Sequence, residues 1–262
     1  MKTTNLAHIQ FEVSDVDGVL LRFEQYKDGK LGYFQLCAET NAEAVCNHIP
    51  TLPFDEAVKM GIESYQKYSS GITGYLPTAE KAGFDPDKFA SRLGREFHYL
   101  LLENLLVRDP GFFDPNEELV KSIEDLQDGR KGGALASHSC RDNWMAPAFN
   151  LNCLGESFET RLGFSQLVLP KYDCAKFIER MSEQTGIPIA NMAFIEDTLR
   201  NLVKAKTEHP DVTTIFISDT PLKTEEPGYQ YVDMQVTHIE DFYRKWARDL
   251  DGPQPEKAEL IA

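Results

Sequence analysis

The sequence predicts an α/β fold: a parallel sheet covered by helices on both faces, with a long helical segment inserted after the first strand. Three features lead there. Short apolar runs at residues 7–13, 133–137, 166–169, 192–195 and 213–217 read as buried strands. Helical patterns at 174–185 and 199–207 separate the later runs, and connections of that length make right-handed crossovers between parallel strands. From about residue 21 to residue 130 the strand-like runs stop and helical periodicity takes over.

In chain order, the first strand ends at Ser14-Asp15-Val16-Asp17-Gly18. Helices are expected at 54–68, 78–83, 86–106 and 116–126. Two of them have visible starts: Asp85-Pro86 and Asp114-Pro115-Asn116 put an acidic cap beside a proline that suits the first turn. Residues 1–20 and 131–262 then form the core, and 21–130 the helical insert. From Gly252 onward, Pro253, Pro255 and alternating charges read as a tail.

A chain of 262 residues can bury a sizeable core without covalent staples. The five cysteines, Cys37, Cys46, Cys140, Cys153 and Cys174, are odd in number and contain no Cys-x-x-Cys pair. A reducing, cytoplasmic setting is therefore expected. No apolar run reaches the roughly 18 residues of a membrane span, so no membrane association is expected. A formal charge of -15 argues against a nucleic acid polymer as partner, because such surfaces need clustered Lys and Arg. It would also repel a small anionic substrate, so a phosphate site here needs local positive charge from a metal, a lysine or helix N-termini. Oligomeric state cannot be read from the sequence.

The strongest chemical signal is Asp15-Val16-Asp17-Gly18, where a buried strand ends. Two carboxylates at i and i+2 can both face the crevice at the carboxyl edge of a parallel sheet, where open α/β sheets bind ligands. Carboxylates so close repel unless a cation or proton sits between them. Ser137 follows Ala134-Leu135-Ala136 at a second strand end, where its hydroxyl could hold a phosphate oxygen. Lys171 follows the 166–169 run and puts an ammonium at the same edge. Ala193-Phe194-Ile195-Glu196-Asp197 is a strand ending in two acids, and hard oxygen ligands in such a place suit Mg²⁺.

This order, Asp-x-Asp, then Ser, then Lys, then an acidic strand end, resembles the four-motif signature of the haloacid dehalogenase superfamily. The resemblance covers most of the chain, to about Ile217. It implies a Rossmann-like parallel core with an inserted helical cap, and a Mg²⁺-dependent phosphatase with Asp15 as covalent nucleophile and Asp17 as general acid/base. Ser137, His138 and Lys171 would bind the transferring phosphoryl group. Asp15, the Asp17 carbonyl and Asp197 would hold the metal, with Glu196 and Asn201 orienting the groups around it. The dehalogenase branch lacks the second acid because a halide leaves without a proton, so Asp17 favours phosphate chemistry. Ile195 through Lys206, with Arg200-Asn201-Leu202 after the acid pair, resembles the fourth motif of bacterial pyrimidine 5'-nucleotidases. Residues 71–75 and 84–89 are similar to the cap of that group. The expected substrate is thus a small phosphorylated metabolite, best a nucleoside 5'-monophosphate such as UMP or CMP.

Gly18-Val19 is instead similar to β-phosphoglucomutase relatives, which keeps a phosphosugar mutase as an alternative, alongside a non-catalytic Mg²⁺-binding regulatory module. Tyr65, Tyr68 and Tyr75 are candidates to line a nucleobase pocket, although aromatics at helical spacing are more often core. Arg92, Arg95 and His98 share a helix face that is expected to be solvated and paired with Glu96 and Glu103.

Overall fold

The structure is a computed structural model and describes residues 4–68, 70–126, 132–137, 141–152, 154 and 173–252. Among the described residues the sheet has five strands, β1 (Phe11–Ser14), β2 (Gly132–Leu135), β3 (Met192–Glu196), β4 (Thr213–Ile217) and β5 (Met234–Val236), in the order β2-β1-β3-β4-β5. The β1/β3, β3/β4 and β4/β5 pairs are parallel, with Ser14 opposite Ile195 and Ile195 opposite Ile215. Every residue of β1, β3 and β4 is buried. Both faces of these strands are covered, so burial extends to their polar residues too, Glu12 and Ser14 in β1 and Thr213 and Thr214 in β4.

The helices are α1 (Gly29–His48), α2 (Phe54–Tyr68), α3 (Leu76–Lys81), α4 (Pro86–Arg108), α5 (Glu117–Glu124), α6 (Ala146–Leu151), α7 (Cys174–Thr185), α8 (Leu199–Glu208) and α9 (Ile239–Leu250). The chain forms two compact units, one of Met1–Ser14, Glu117–Gly133 and Ala175–Ala262, the other of Asp15–Asn116 and Ala134–Cys174.

In the sheet-bearing unit, α8 packs on β3 and β4, and α9 packs on β5 and α5. The α9 contact is aromatic: Phe242, Tyr243 and Trp246 are fully buried, and the Trp246 indole donates to the Ile9 carbonyl at 3.2 Å. Asp233 ties β4 to the chain before β5. Its carboxylate pairs with Lys206 at 2.6 Å and accepts from the Thr214 amide at 2.9 Å.

In the helical unit, α1 lies against both α2 and α4 around a core that includes Val45, Ala57, Tyr75, Phe89 and Leu93. Asp85 caps α4 by accepting from the Lys88 amide at 2.9 Å, as the Asp-Pro pair predicts. The sequence reading finds the bounds of α2, α7 and β4 and places β3 and α8 to within a residue. The first strand is shorter than expected: only Phe11–Ser14 pair, because residues 7–10 lead in through a turn. The strand expected at 166–169 lies outside the described residues.

Candidate active site

The register of β1 on β3 fixes the start of the site. Ser14 is opposite Ile195, so Asp15 follows the end of β1 at the edge where Glu196 ends β3 and Asp197 follows it. One peptide bond ties Asp15 to β1. Glu196 and Asp197 stand at the end of β3, the strand paired with β1. Glu196 is buried. Its Oε1 accepts from the Thr198 amide at 3.1 Å, and its Oε2 has no hydrogen-bond partner among the described residues. Burial first, then the Asp197 charge, push its carboxyl up to about 8, against smaller opposite effects from hydrogen bonds of Asn201 and Thr198. A buried carboxylate with an orphaned oxygen beside the Asp197 charge needs a proton or a cation, and an all-oxygen donor set fits a hard divalent ion such as Mg²⁺.

The turn after Asp15 is tightly closed. Asp15 Oδ1 accepts from the Val16 amide at 2.8 Å, the Gly18 amide donates to the Leu21 carbonyl at 2.8 Å, and the Leu21 amide donates to the Val16 carbonyl at 2.9 Å. Gly18 sits at φ 86°, a left-handed conformation that favours glycine, so the Asp-x-Asp-Gly order has a backbone reason. Trp144, fully buried, donates its indole N–H to Asp17 Oδ1 at 2.9 Å. It lies in a single π-helical turn, Arg141–Met145, just before α6. Such turns often mark functional sites.

Asp17 also lines a cavity of about 500 Å³ within the helical unit. Most of its wall is aromatic or aliphatic: Phe23, Tyr33, Tyr65, Phe97, Leu101 and Trp144 contribute. Burial raises the Tyr33 phenol and the Cys37 thiol well above their usual ranges, so both stay neutral there. Burial also pushes His98 down to about 4, despite its 2.6 Å contact with the Gly94 carbonyl.

Of the residues expected at the site, Asp15 follows the end of β1, Asp197 follows the end of β3 beside Glu196, and Asp17 faces the cavity. Ser137 is buried just past β2. Asn201 stands in the first turn of α8, where its hydrogen bond favours the charged form of Glu196. His138 and Lys171 lie outside the described residues. Tyr65 lines the cavity, whereas Tyr68 does not, and Tyr75 belongs to the core, its hydroxyl donating to the Ala57 carbonyl at 2.8 Å. The solvated face expected for Arg92, Arg95 and His98 is corrected at His98, which is buried in the cavity wall. Glu96 instead engages Asn47 and His48, and Arg95 donates to Ser91. Trp144 has no sequence signal, since only the fold brings Asp17 to it, and Asn41 has none, since nothing in its helix marks that its amide is buried.

No family model matches the sequence. No curated protein matches it either. Solved structures do. A Haemophilus somnus protein assigned by prediction as a phosphoglycolate phosphatase superposes with TM-score 0.56 at 15% identity, covering 93% of this chain and 99% of the other. A dehalogenase solved with an intermediate complex gives 0.53 at 14% identity, covering 92% and 98%. A Thermotoga maritima protein assigned by inference as a β-phosphoglucomutase gives 0.51 at 15% identity, covering 90% and 97%. At these identities the likeness is one of fold: the chain has the haloacid dehalogenase-like α/β fold across nearly its whole length.

Proposed function

We propose that the protein is a Mg²⁺-dependent phosphomonoester hydrolase that works through an aspartyl-phosphate on Asp15. The observation that carries this reading is the acid pair at the end of β1, with the carboxylates of Glu196 and Asp197 at the end of the adjacent strand. The Asp15 carboxylate attacks phosphorus as the bond from phosphorus to the leaving oxygen breaks, and Asp17 gives that oxygen its proton. Asp17 then takes a proton from a water molecule that attacks the same phosphorus, and the bond to Asp15 breaks to release phosphate. Ser137, His138 and Lys171 bind the phosphoryl oxygens. Asp15, the Asp17 carbonyl and Asp197 hold Mg²⁺, which supplies charge neutralisation to the phosphoryl group when bound.

Asp17 separates this reading from a dehalogenase, since halide departure needs no proton donor. The hydrogen bond from Trp144 holds that carboxylate at the cavity wall. We take residues 21–130 as the cap that carries leaving-group specificity and 1–20 with 131–262 as the catalytic core. Nucleoside 5'-monophosphates, UMP and CMP first, are the proposed substrates. A screen of nucleotides and sugar phosphates with Mg²⁺, repeated in excess chelator, tests the reading. Phosphate release that disappears with chelator and returns with Mg²⁺ is expected, and full activity in chelator would remove the metal. Turnover only with a phosphorylated activator would turn the assignment to a mutase.

A further inference from the structure

The cavity beside Asp17 restricts what the leaving group can be. Among its described lining residues there is no lysine, arginine or glutamate, and Asp17 is the sole carboxylate. Its histidine, cysteine and tyrosines offer no cation near neutral pH. A second phosphate or a carboxylate placed here would meet no counter-charge and would be repelled by Asp17. Uncharged rings, in contrast, find rings of Phe23, Phe34, Tyr65 and Phe97.

One polar feature of the wall is unsatisfied. Asn41, only 5% exposed, donates Nδ2 to the Cys37 carbonyl at 3.1 Å, which fixes the amide orientation because that carbonyl only accepts. Its Oδ1 is buried without a partner among the described residues, and Asn41 lines the cavity. Gly71 packs against this amide: a Cβ there would lie 2.6 Å from Asn41 Nδ2. The amide is thus held in place with an acceptor oxygen that an N–H or O–H of an occupant would satisfy.

We propose that this cavity is the leaving-group site, and that it selects phosphomonoesters of an uncharged alcohol bearing an aromatic ring whose hydrogen-bond donor pairs with Asn41 Oδ1. The proposal rests on the phosphatase reading above. It admits pyrimidine nucleosides and excludes phosphoglycolate and sugar bisphosphates.

The test compares kcat/KM with Mg²⁺ for the 3- and 4-hydroxybenzyl phosphates, their methyl ethers and phosphoglycolate, with acetyl phosphate as a ring-free reporter of the chemistry. The better hydroxybenzyl ester should exceed its methyl ether by about tenfold and phosphoglycolate by about a hundredfold or more, and Asn41→Leu should bring the hydroxyl-to-ether ratio close to one. Phosphoglycolate turned over as well as the ring esters, or a ratio unchanged in Asn41→Leu, would overturn the proposal. If Asn41→Leu does not fold, the wild-type ranking alone decides. If neither the esters nor acetyl phosphate are hydrolysed, the phosphatase reading has failed, and the cavity is tested by ligand-observed NMR with the hydroxybenzyl alcohols and glycolate. Binding of an alcohol in preference to glycolate supports the site. Preferred glycolate, or no binding of either, overturns it.

Discussion

Trp144 is the residue whose importance only the fold makes visible. Its indole meets Asp17 across 127 positions of sequence, at 2.9 Å, and nothing in the local pattern around Asn143-Trp144-Met145 marks it. In the proposed mechanism this bond positions the carboxylate that protonates the leaving oxygen. Trp144→Phe should therefore lower kcat/KM by about tenfold for alkyl phosphates, whose leaving oxygen needs that proton, and far less for activated aryl phosphates. A loss equal across leaving groups would reduce Trp144 to a packing role. His98 gives a second residue-scale test. Its folded value near 4 lies below the usual imidazole value, so the unfolded chain takes up the proton first as pH falls. Its contribution is complete above about pH 6.5 and lost as pH drops toward 4, roughly 2 kcal/mol between pH 7 and pH 5. Thermal unfolding should show that acid sensitivity in the wild type and a weaker one in His98→Phe. Equal slopes would mean that His98 is not held neutral. The acid pairs 15/17 and 196/197 were legible because strand ends announce themselves, whereas His98 was misread because spacing on a helix does not reveal which face is buried.

At the scale of elements, legibility follows amphipathicity and length. The helix α2 presents a clear period and the strand β4 a short buried run, and both are found at the positions their patterns give. The 20-residue α1 gives no such signal because it is buried against α2 on one side and α4 on another, and it uses Ala38, Thr40, Asn41, Ala42 and Ala44 to do so. Small and polar residues in a buried helix blur the apolar stripe that marks a surface helix. The strand β5 has three residues at the sheet edge, two of them half-exposed, too few to show a period. Close packing of these helices is itself testable at Gly61 on α2, where an added Cβ would lie 2.6 Å from the Tyr75 hydroxyl. Helix propensity alone favours Gly61→Ala by about 1 kcal/mol, but overpacking against a fully buried tyrosine costs about 2 kcal/mol, so a net loss of roughly 1 kcal/mol is expected in urea unfolding. Adding Tyr75→Phe removes the atom that clashes, at the cost of its bond to Ala57. The double variant should then be more stable than the two separate losses sum to. Simple additivity would place the strain elsewhere.

For the whole molecule, a formal charge of -15 and the acids that end β1 and β3 set the electrostatic problem that the proposed phosphatase must solve. The fold supplies part of the answer by pairing β1 with β3, whose ends carry the oxygen ligands that the proposed mechanism needs for a divalent cation. Mg²⁺ should raise the unfolding temperature of the wild type, and Asp197→Asn should shrink that rise, because binding to the native state alone stabilises it. An identical rise in both would place the ion elsewhere. Among the described residues no helix is long and apolar enough to cross a membrane. The measurement that bears most directly on the central claim is phosphate release from acetyl phosphate with Mg²⁺ by the wild type and by Asp15→Asn. The variant keeps the shape of the side chain and loses the nucleophile, so turnover should fall by about 10⁴-fold or more while its unfolding transition stays cooperative. Release by Asp15→Asn at a rate near that of the wild type would contradict the covalent mechanism.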